Sequence, residues 1–110
     1  MNHEIYMQRC LELAKKAVGN TYPNPLVGAV IVHHNKIIGE GFHQKAGEAH
    51  AEIMAIDAVK NPALLKESTI YVSLEHCAHF GKTPPCALRI IEIGFKKVVI
   101  GTLDSHEKVN

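Results

Sequence analysis

The sequence has no tryptophan, and only three tyrosines and three phenylalanines among 110 residues. A protein that grips single-stranded nucleic acid by base stacking needs more aromatic faces than that. An excess of charge is missing too. Twelve basic and 11 acidic residues leave a formal net charge of +1, so bulk electrostatics draws neither a polynucleotide nor an anionic membrane surface. No apolar run reaches the roughly 20 residues of a membrane span. Met1-Asn2-His3-Glu4 lacks the basic-then-apolar pattern of a signal peptide. Cysteine is scarce, at three. An odd number without a secretory context argues against a disulfide framework and for a reducing, cytoplasmic compartment. There is no internal repeat, low-complexity segment or linker, and the length suits a single domain spanning 1–110.

Histidine, in contrast, is plentiful at eight residues, which makes metal chemistry worth seeking. Apolar residues recur at helical spacing over 3–18, with Tyr6, Cys10, Leu13, Ala14 and Ala17 on one face. Gly19-Asn20 closes that helix. Two prolines make 21–25 a loop. Residues 26–32 and 37–42 read as the strands of a hairpin turning at 33–36. Gly28 marks a close approach by other backbone or by a ligand. A loop over 44–48 leads to a helix over 49–60, stopped by Asn61-Pro62. Residues 68–74 form a third strand and 75–82 a loop. Thr83 caps, and Pro84 opens, a helix running over 86–93 to Gly94. Residues 97–101 make a fourth strand. A hairpin followed by alternating helices and strands predicts a three-layer α/β/α fold with a mixed sheet and right-handed crossovers. Residues 102–110 show no partner structure, so a C-terminally truncated piece of something longer is expected.

His50-Ala51-Glu52 falls at the start of the second predicted helix, Cys77 follows the third strand, and Pro84-Pro85-Cys86 opens the next helix. One imidazole and two thiolates are ligands that Zn²⁺ prefers. Three of them leave the fourth tetrahedral position for water, as in catalytic rather than structural sites. Helix N-termini favour the thiolate that metal binding requires. Glu52, two residues from His50, is placed to carry a proton from water to a substrate nitrogen rather than to bind metal. H-x-E followed by Pro-Cys and a second Cys is the signature of zinc nucleobase deaminases, whose usual form is P-C-x-x-C. Eight residues separate Cys77 from Cys86 here, so this is a longer-loop variant. H-A-E alone, or two cysteines alone, arise by chance; the three pieces in order at element junctions are specific. Cys10 lies on the apolar helix face and reads as a buried core thiol. His3 and His106 read as solvated, and His33 and His34 as hairpin-turn residues.

These residues resemble a known family. Asn24-Pro25-Leu26-Val27-Gly28-Ala29-Val30, Gly47-Glu48-Ala49-His50-Ala51-Glu52, and the stretch from Leu74-Glu75-His76-Cys77 through His79-Phe80-Gly81-Lys82-Thr83-Pro84-Pro85 to Cys86-Ala87 look like the deaminase domain of the bifunctional riboflavin-biosynthesis deaminase/reductases. The likeness covers nearly the whole chain. Its long Cys-to-Cys loop is specific, since transfer-RNA adenosine deaminases and cytidine deaminases usually keep a two-residue gap. The resemblance implies a cytidine-deaminase-like fold. It implies conversion of 2,5-diamino-6-ribosylamino-4(3H)-pyrimidinone 5′-phosphate to 5-amino-6-ribosylaminouracil 5′-phosphate with release of ammonia. Matched position by position, it implies one zinc per chain on His50, Cys77 and Cys86, with Glu52 as proton shuttle. It puts Asn24, His43, His79, Lys82 and Asp104 in or beside the substrate pocket. Asn24, stiffened between two prolines, can present its amide to ring or ribose atoms, and Lys82 and His79 can meet the phosphate. A phosphorylated small molecule, not nucleic acid or membrane, is the implied partner, and a homo-oligomer is a family-level expectation.

The chain departs from the family twice. His76 stands where the family has proline, immediately before the first cysteine, which frees the loop and adds a second candidate ligand. Cys77 is still expected to bind, with reduced metal affinity or activity. The family domain also continues with another helix and strand and then a reductase domain. An unpaired sheet edge or a missing covering helix is therefore expected, with no reductase activity and no NADPH use by this chain alone. The competing expectations are a deaminase of another nucleobase, nucleoside or nucleic acid; a closed Cys₂His₂ structural site completed by His76; and a zinc-bound but poorly active fragment.

Overall fold

The computed structural model describes residues 3–16, 27–42, 51–74 and 90–102, with backbone only at 74 and 102. Its elements are α1 (His3–Lys15), β1 (Val27–His33), β2 (Lys36–Phe42), α2 (Ala51–Ala58), a 3-10 helix (Pro62–Glu67), β3 (Thr69–Leu74) and β4 (Lys97–Thr102). The strands form one mixed sheet in the order β2-β1-β3-β4. β1 is antiparallel to both β2 and β3, and β3 is parallel to β4.

β1 reads as a continuous apolar run because it is central and covered on both sides. Its alternate residues part to two cores. Ala29 and Ile31 join Ile70, Val72, Ala55, Ile56 and Val59 in a cluster under α2. Val30 and Val32 join Tyr71, Val99, Met7, Cys10 and Leu13 in a cluster under α1. Helix, sheet and helix are thus stacked as the sequence predicted. Gly28 is the point where α1 comes closest. A Cβ there would drive into the carbonyl oxygen of Cys10 and stand 3.1 Å from the Ala14 amide, so only glycine lets the helix backbone rest on the strand.

The boundaries shift in informative ways. His33 pairs with Lys36, so the turn is two residues, His34 and Asn35, with φ of +49° and +63°. That is the twist a tight hairpin needs, and both strands gain a residue. Ile37 and Gly39 face Val32 and Ile31, which leaves Ile38 as the extra residue of a bulge. The Asn61-Pro62 stop is also a start: Asn61 Oδ1 accepts the Ala63 amide at 3.2 Å and begins the 3-10 helix, an element the sequence reading missed. On α1 the buried set is Met7, Cys10, Leu13 and Ala14. Met7 was not anticipated, and Tyr6 is only partly buried against the cluster. His3 is not simply solvated, because its Nδ1 lies 2.7 Å from the Tyr71 hydroxyl. Cys10 is fully buried, and burial pushes its thiol up to about 12. Residues 90–93 are helical and end at Gly94, with φ +74°. The rest of the helix expected over 86–93, Ala17, His106 and the expected loops over 21–25, 44–48 and 75–82 lie outside the described residues.

α1 is tied to β2 by a forked ion pair. Arg9 Nε donates to Glu40 Oε2 at 2.6 Å and Nη2 to Oε1 at 3.0 Å. The Arg9 hydrogen bonds hold the Glu40 carboxyl below its ordinary range against the opposing effect of desolvation. The folded value lies below the unfolded one. The pair's contribution is therefore complete above the unfolded value of about 4.3 and is lost as pH falls through the folded value. Glu40→Gln is expected to cost about 1 kcal/mol at neutral pH. Urea unfolding of the two proteins across the acid range should show that gap narrowing as the pH drops; a gap independent of pH would contradict the ion pair.

Candidate active site

The sheet has two ends. At one, Val27, Phe42 and Leu74 lie side by side, through the pairs Gly28–Phe42 and Val27–Leu74. At the other, His33, Lys36, Thr69 and Lys97 gather. α2 begins at the first end. Its first residue is fixed there by Gly41 of β2, whose ideal Cβ would meet the Ala51 carbonyl oxygen and lie 2.7 Å from both the Ala55 amide nitrogen and Met54 Cβ. Without a side chain at Gly41, the first turn of α2 lies directly on the sheet. Gly41 pairs with Ala29, and Ala29 with Val72. Gly41, on which α2 starts, and Val72 of β3 are thus two strand spacings apart, about 10 Å.

Glu52 lies in that first turn of α2 and is 8% exposed. A carboxylate is among the side chains least often buried, and taking one out of water is costly. On a helix whose other buried residues are Ala51, Ala55 and Ile56, it adds nothing to apolar packing. A helix N-terminus offers free amide donors and a positive dipole end, which suit a carboxylate. The group is therefore held, water-poor, at the sheet end where α2 begins and β3 ends.

Of the metal-ligating, catalytic and substrate-binding candidates named in the sequence, Glu52 is the one among the described residues. His50, Cys77, Cys86, Asn24, His43, His79, Lys82, Asp104 and His76 lie outside the described residues. By sequence, His50 immediately precedes α2 and Cys77 follows the last residue of β3 by three. The sequence reading missed Gly39 and Gly41 as the seat of α2. The signal was available: two glycines at alternate positions of one strand put two bare patches on one face. Among the described residues, one group of potential metal ligands is assembled, His33, His34 and Glu67, and it lies at the opposite end of the sheet. No described helix is long and apolar enough to cross a membrane.

Comparison with known proteins bears on the same site. Residues 1–102 match the family model of the cytidine and deoxycytidylate deaminase zinc-binding region. A diaminohydroxyphosphoribosylamino-pyrimidine deaminase of Buchnera aphidicola from Schizaphis graminum is 50% identical over 110 residues, covering 100% of this chain and 74% of that protein. The riboflavin biosynthesis protein RibD of Aquifex aeolicus is 54% identical over 101 residues, 92% of this chain but only 28% of its own length. Among solved structures, the diaminohydroxyphosphoribosylaminopyrimidine deaminase/5-amino-6-(5-phosphoribosylamino)uracil reductase of Thermotoga maritima superposes with a TM-score of 0.75 at 47% identity, covering 93% of this chain and 30% of that one. The chain thus spans under a third of the longer relatives and about three quarters of the shorter one.

Proposed function

The chain belongs to the cytidine and deoxycytidylate deaminase zinc-binding family, among its riboflavin-biosynthesis deaminases, and from that premise we propose that it hydrolytically deaminates 2,5-diamino-6-ribosylamino-4(3H)-pyrimidinone 5′-phosphate. The products are 5-amino-6-ribosylaminouracil 5′-phosphate and ammonia. The observation that carries this reading is the buried carboxylate of Glu52 in the first turn of α2.

One imidazole and two thiols are the donor set of a catalytic zinc, and a buried acid two residues along the sequence from that imidazole suits a proton carrier. His50, Cys77 and Cys86 would hold one Zn²⁺ per chain, with Glu52 outside the metal's ligands. Bound there, the ion supplies Lewis acidity, which lowers the pKa of water to about 7. Glu52 takes a proton from the attacking water on its carboxylate and passes it to the ring nitrogen. Once the water oxygen has bonded to the ring carbon, Glu52 takes the second proton from the added hydroxyl and hands it to the amino group, so that the C–N bond breaks, the carbonyl forms and ammonia leaves. Asn24, His43 and Asp104 would orient ring and ribose, and His79 and Lys82 would meet the phosphate by charge-assisted hydrogen bonds. The balanced net charge and few aromatics support a small phosphorylated substrate over a polynucleotide. The free, buried Cys10 fits a reducing cytoplasm. We read residues 1–110 as one deaminase domain, with a homo-oligomer as the assembly its family suggests.

Ammonia release measured on the diaminopyrimidine phosphate, cytidine and guanine tests the assignment. The expected result is turnover of the first at least about a hundredfold above the others, and Lys82→Ala raising KM for it with zinc content unchanged. Faster turnover of cytidine or guanine would overturn the substrate, and an unaffected KM in the Lys82 variant would overturn the phosphate role.

A further inference from the structure

At the far end of the sheet, the hairpin turn and the end of the 3-10 helix bring three donors together. His33 Nε2 lies 3.9 Å from Glu67 Oε1, and one donor atom from each of His33, His34 and Glu67 falls within 4.8 Å of the other two. The His33 and His34 rings stack with centroids 3.9 Å apart and planes 21° from parallel. The turn arranges this. His34 sits in the left-handed region at φ +49°, which folds its ring back over its neighbour's instead of sending it to the opposite face, as consecutive strand residues would go.

Two features of the group need a reason. His33 Nε2 is buried without a hydrogen-bond partner, although a buried polar atom left unmatched is costly and points to a water or an ion that satisfies it. The side chain of His33 is 14% exposed, whereas that of Glu67 is 68% exposed, so a wet carboxylate stands beside a dry imidazole nitrogen at a separation too long for a hydrogen bond. That separation suits a shared ion. Metal–nitrogen and metal–oxygen bonds of about 2.0–2.2 Å place two ligands about 3.3–3.6 Å apart on a tetrahedral ion. The His33–Glu67 pair needs to close by about half an ångström, and the widest separation in the group by about 1.5 Å at most. That closure falls to the exposed side chains of Glu67 and His34, whose ring turns out of its stack to aim a nitrogen at the ion.

We propose that His33, His34 and Glu67 form a second metal site, for a borderline-soft divalent transition ion such as Zn²⁺, Ni²⁺ or Cu²⁺. Two imidazoles and one carboxylate select these ions over Mg²⁺ and Ca²⁺, which take oxygen ligands. The site is separate from the catalytic one, because β1 spans about 20 Å from Val27 to His33 and Glu52 lies at the Val27 end. An ion there would clip the hairpin turn to the 3-10 helix, joining β1 to the segment that leads into β3.

Titration with Ni²⁺ of the 1–110 chain loaded with one equivalent of Zn²⁺ and no excess tests this, read by calorimetry and by paramagnetic broadening of histidine ring resonances. His34→Asn and Glu67→Ala are the variants. Asparagine tolerates the left-handed turn position, and Glu67 is exposed, so both are expected to melt like the wild type without added metal. The wild type should take up one Ni²⁺ beyond its zinc, broaden the His33 and His34 signals and melt at a higher temperature with the ion. Each variant should bind that ion at least about tenfold more weakly and lose the thermal shift. An ion bound equally by all three proteins, or no uptake by the wild type, overturns the site. The readout is the difference between wild type and variants, so it stands whether or not the chain deaminates the pyrimidine phosphate. If His34→Asn fails to fold, Glu67→Ala decides alone.

Discussion

Glu52→Gln is expected to leave one zinc per chain and to lower deamination by about 10²–10⁴-fold or more, the range general acid–base catalysis contributes. Glutamine has nearly the size and shape of glutamate, so the first turn of α2 keeps its packing. What it lacks is a carboxylate that can accept a proton and give it back. Stability should stay close to that of the wild type, because the substitution conserves volume at a site that is 8% exposed. Metal analysis, thermal melting and ammonia release on the same preparation separate the outcomes. Zinc lost together with activity would put Glu52 among the metal's ligands and end its role as shuttle. Activity retained with zinc in place would remove it from the chemistry.

Gly41→Ala is expected to damage both stability and turnover, because the methyl falls under the helix that carries Glu52. The added Cβ meets the Ala51 carbonyl oxygen, with the Ala55 amide nitrogen and Met54 Cβ each 2.7 Å away. Two of these three atoms are backbone and cannot swing aside, so α2 has to lift or slide. Overpacking of this kind costs about 1–3 kcal/mol, which for a domain near 100 residues lowers Tm by about 5–15 °C. The effect on turnover should exceed the effect on the folded fraction. α2 carries Glu52 in its first turn, and a displacement of about 1 Å in a catalytic group can cost about a hundredfold. Far-UV circular dichroism, a melt and an assay at a temperature well below the variant's Tm check this. A variant with wild-type Tm and activity would show that the start of α2 is not held by this contact.

Why these two positions differ in legibility is a matter of physical range. Glu52 was visible because its motif is local: two residues separate it from His50, and both fall at a predicted helix start. Gly41 was passed over, although Gly28 was noticed, because a strand glycine is ordinary until the helix facing it is known. The hairpin was read correctly in outline, since turn residues between two apolar runs need no distant partner. Its true two-residue turn, and the stacking of His33 on His34 that comes with it, depend on the positive φ of His34. Histidine at that position gives no such signal, as asparagine or glycine would have done.

Periodicity, turn chemistry and short motifs are properties of neighbours along the chain, and they determined the order of the four described strands and of α1 and α2, the core thiol of Cys10 and the candidate acid Glu52. Distances between residues remote in sequence were decided only by the tertiary structure. Glu67 comes within 3.9 Å of His33, Arg9 grips Glu40, and Ala51 rests on Gly41. Such approaches are fixed by how the layers stack and by strand register, because a one-residue slip of β1 or β2 would turn His33 or Glu40 to the other face.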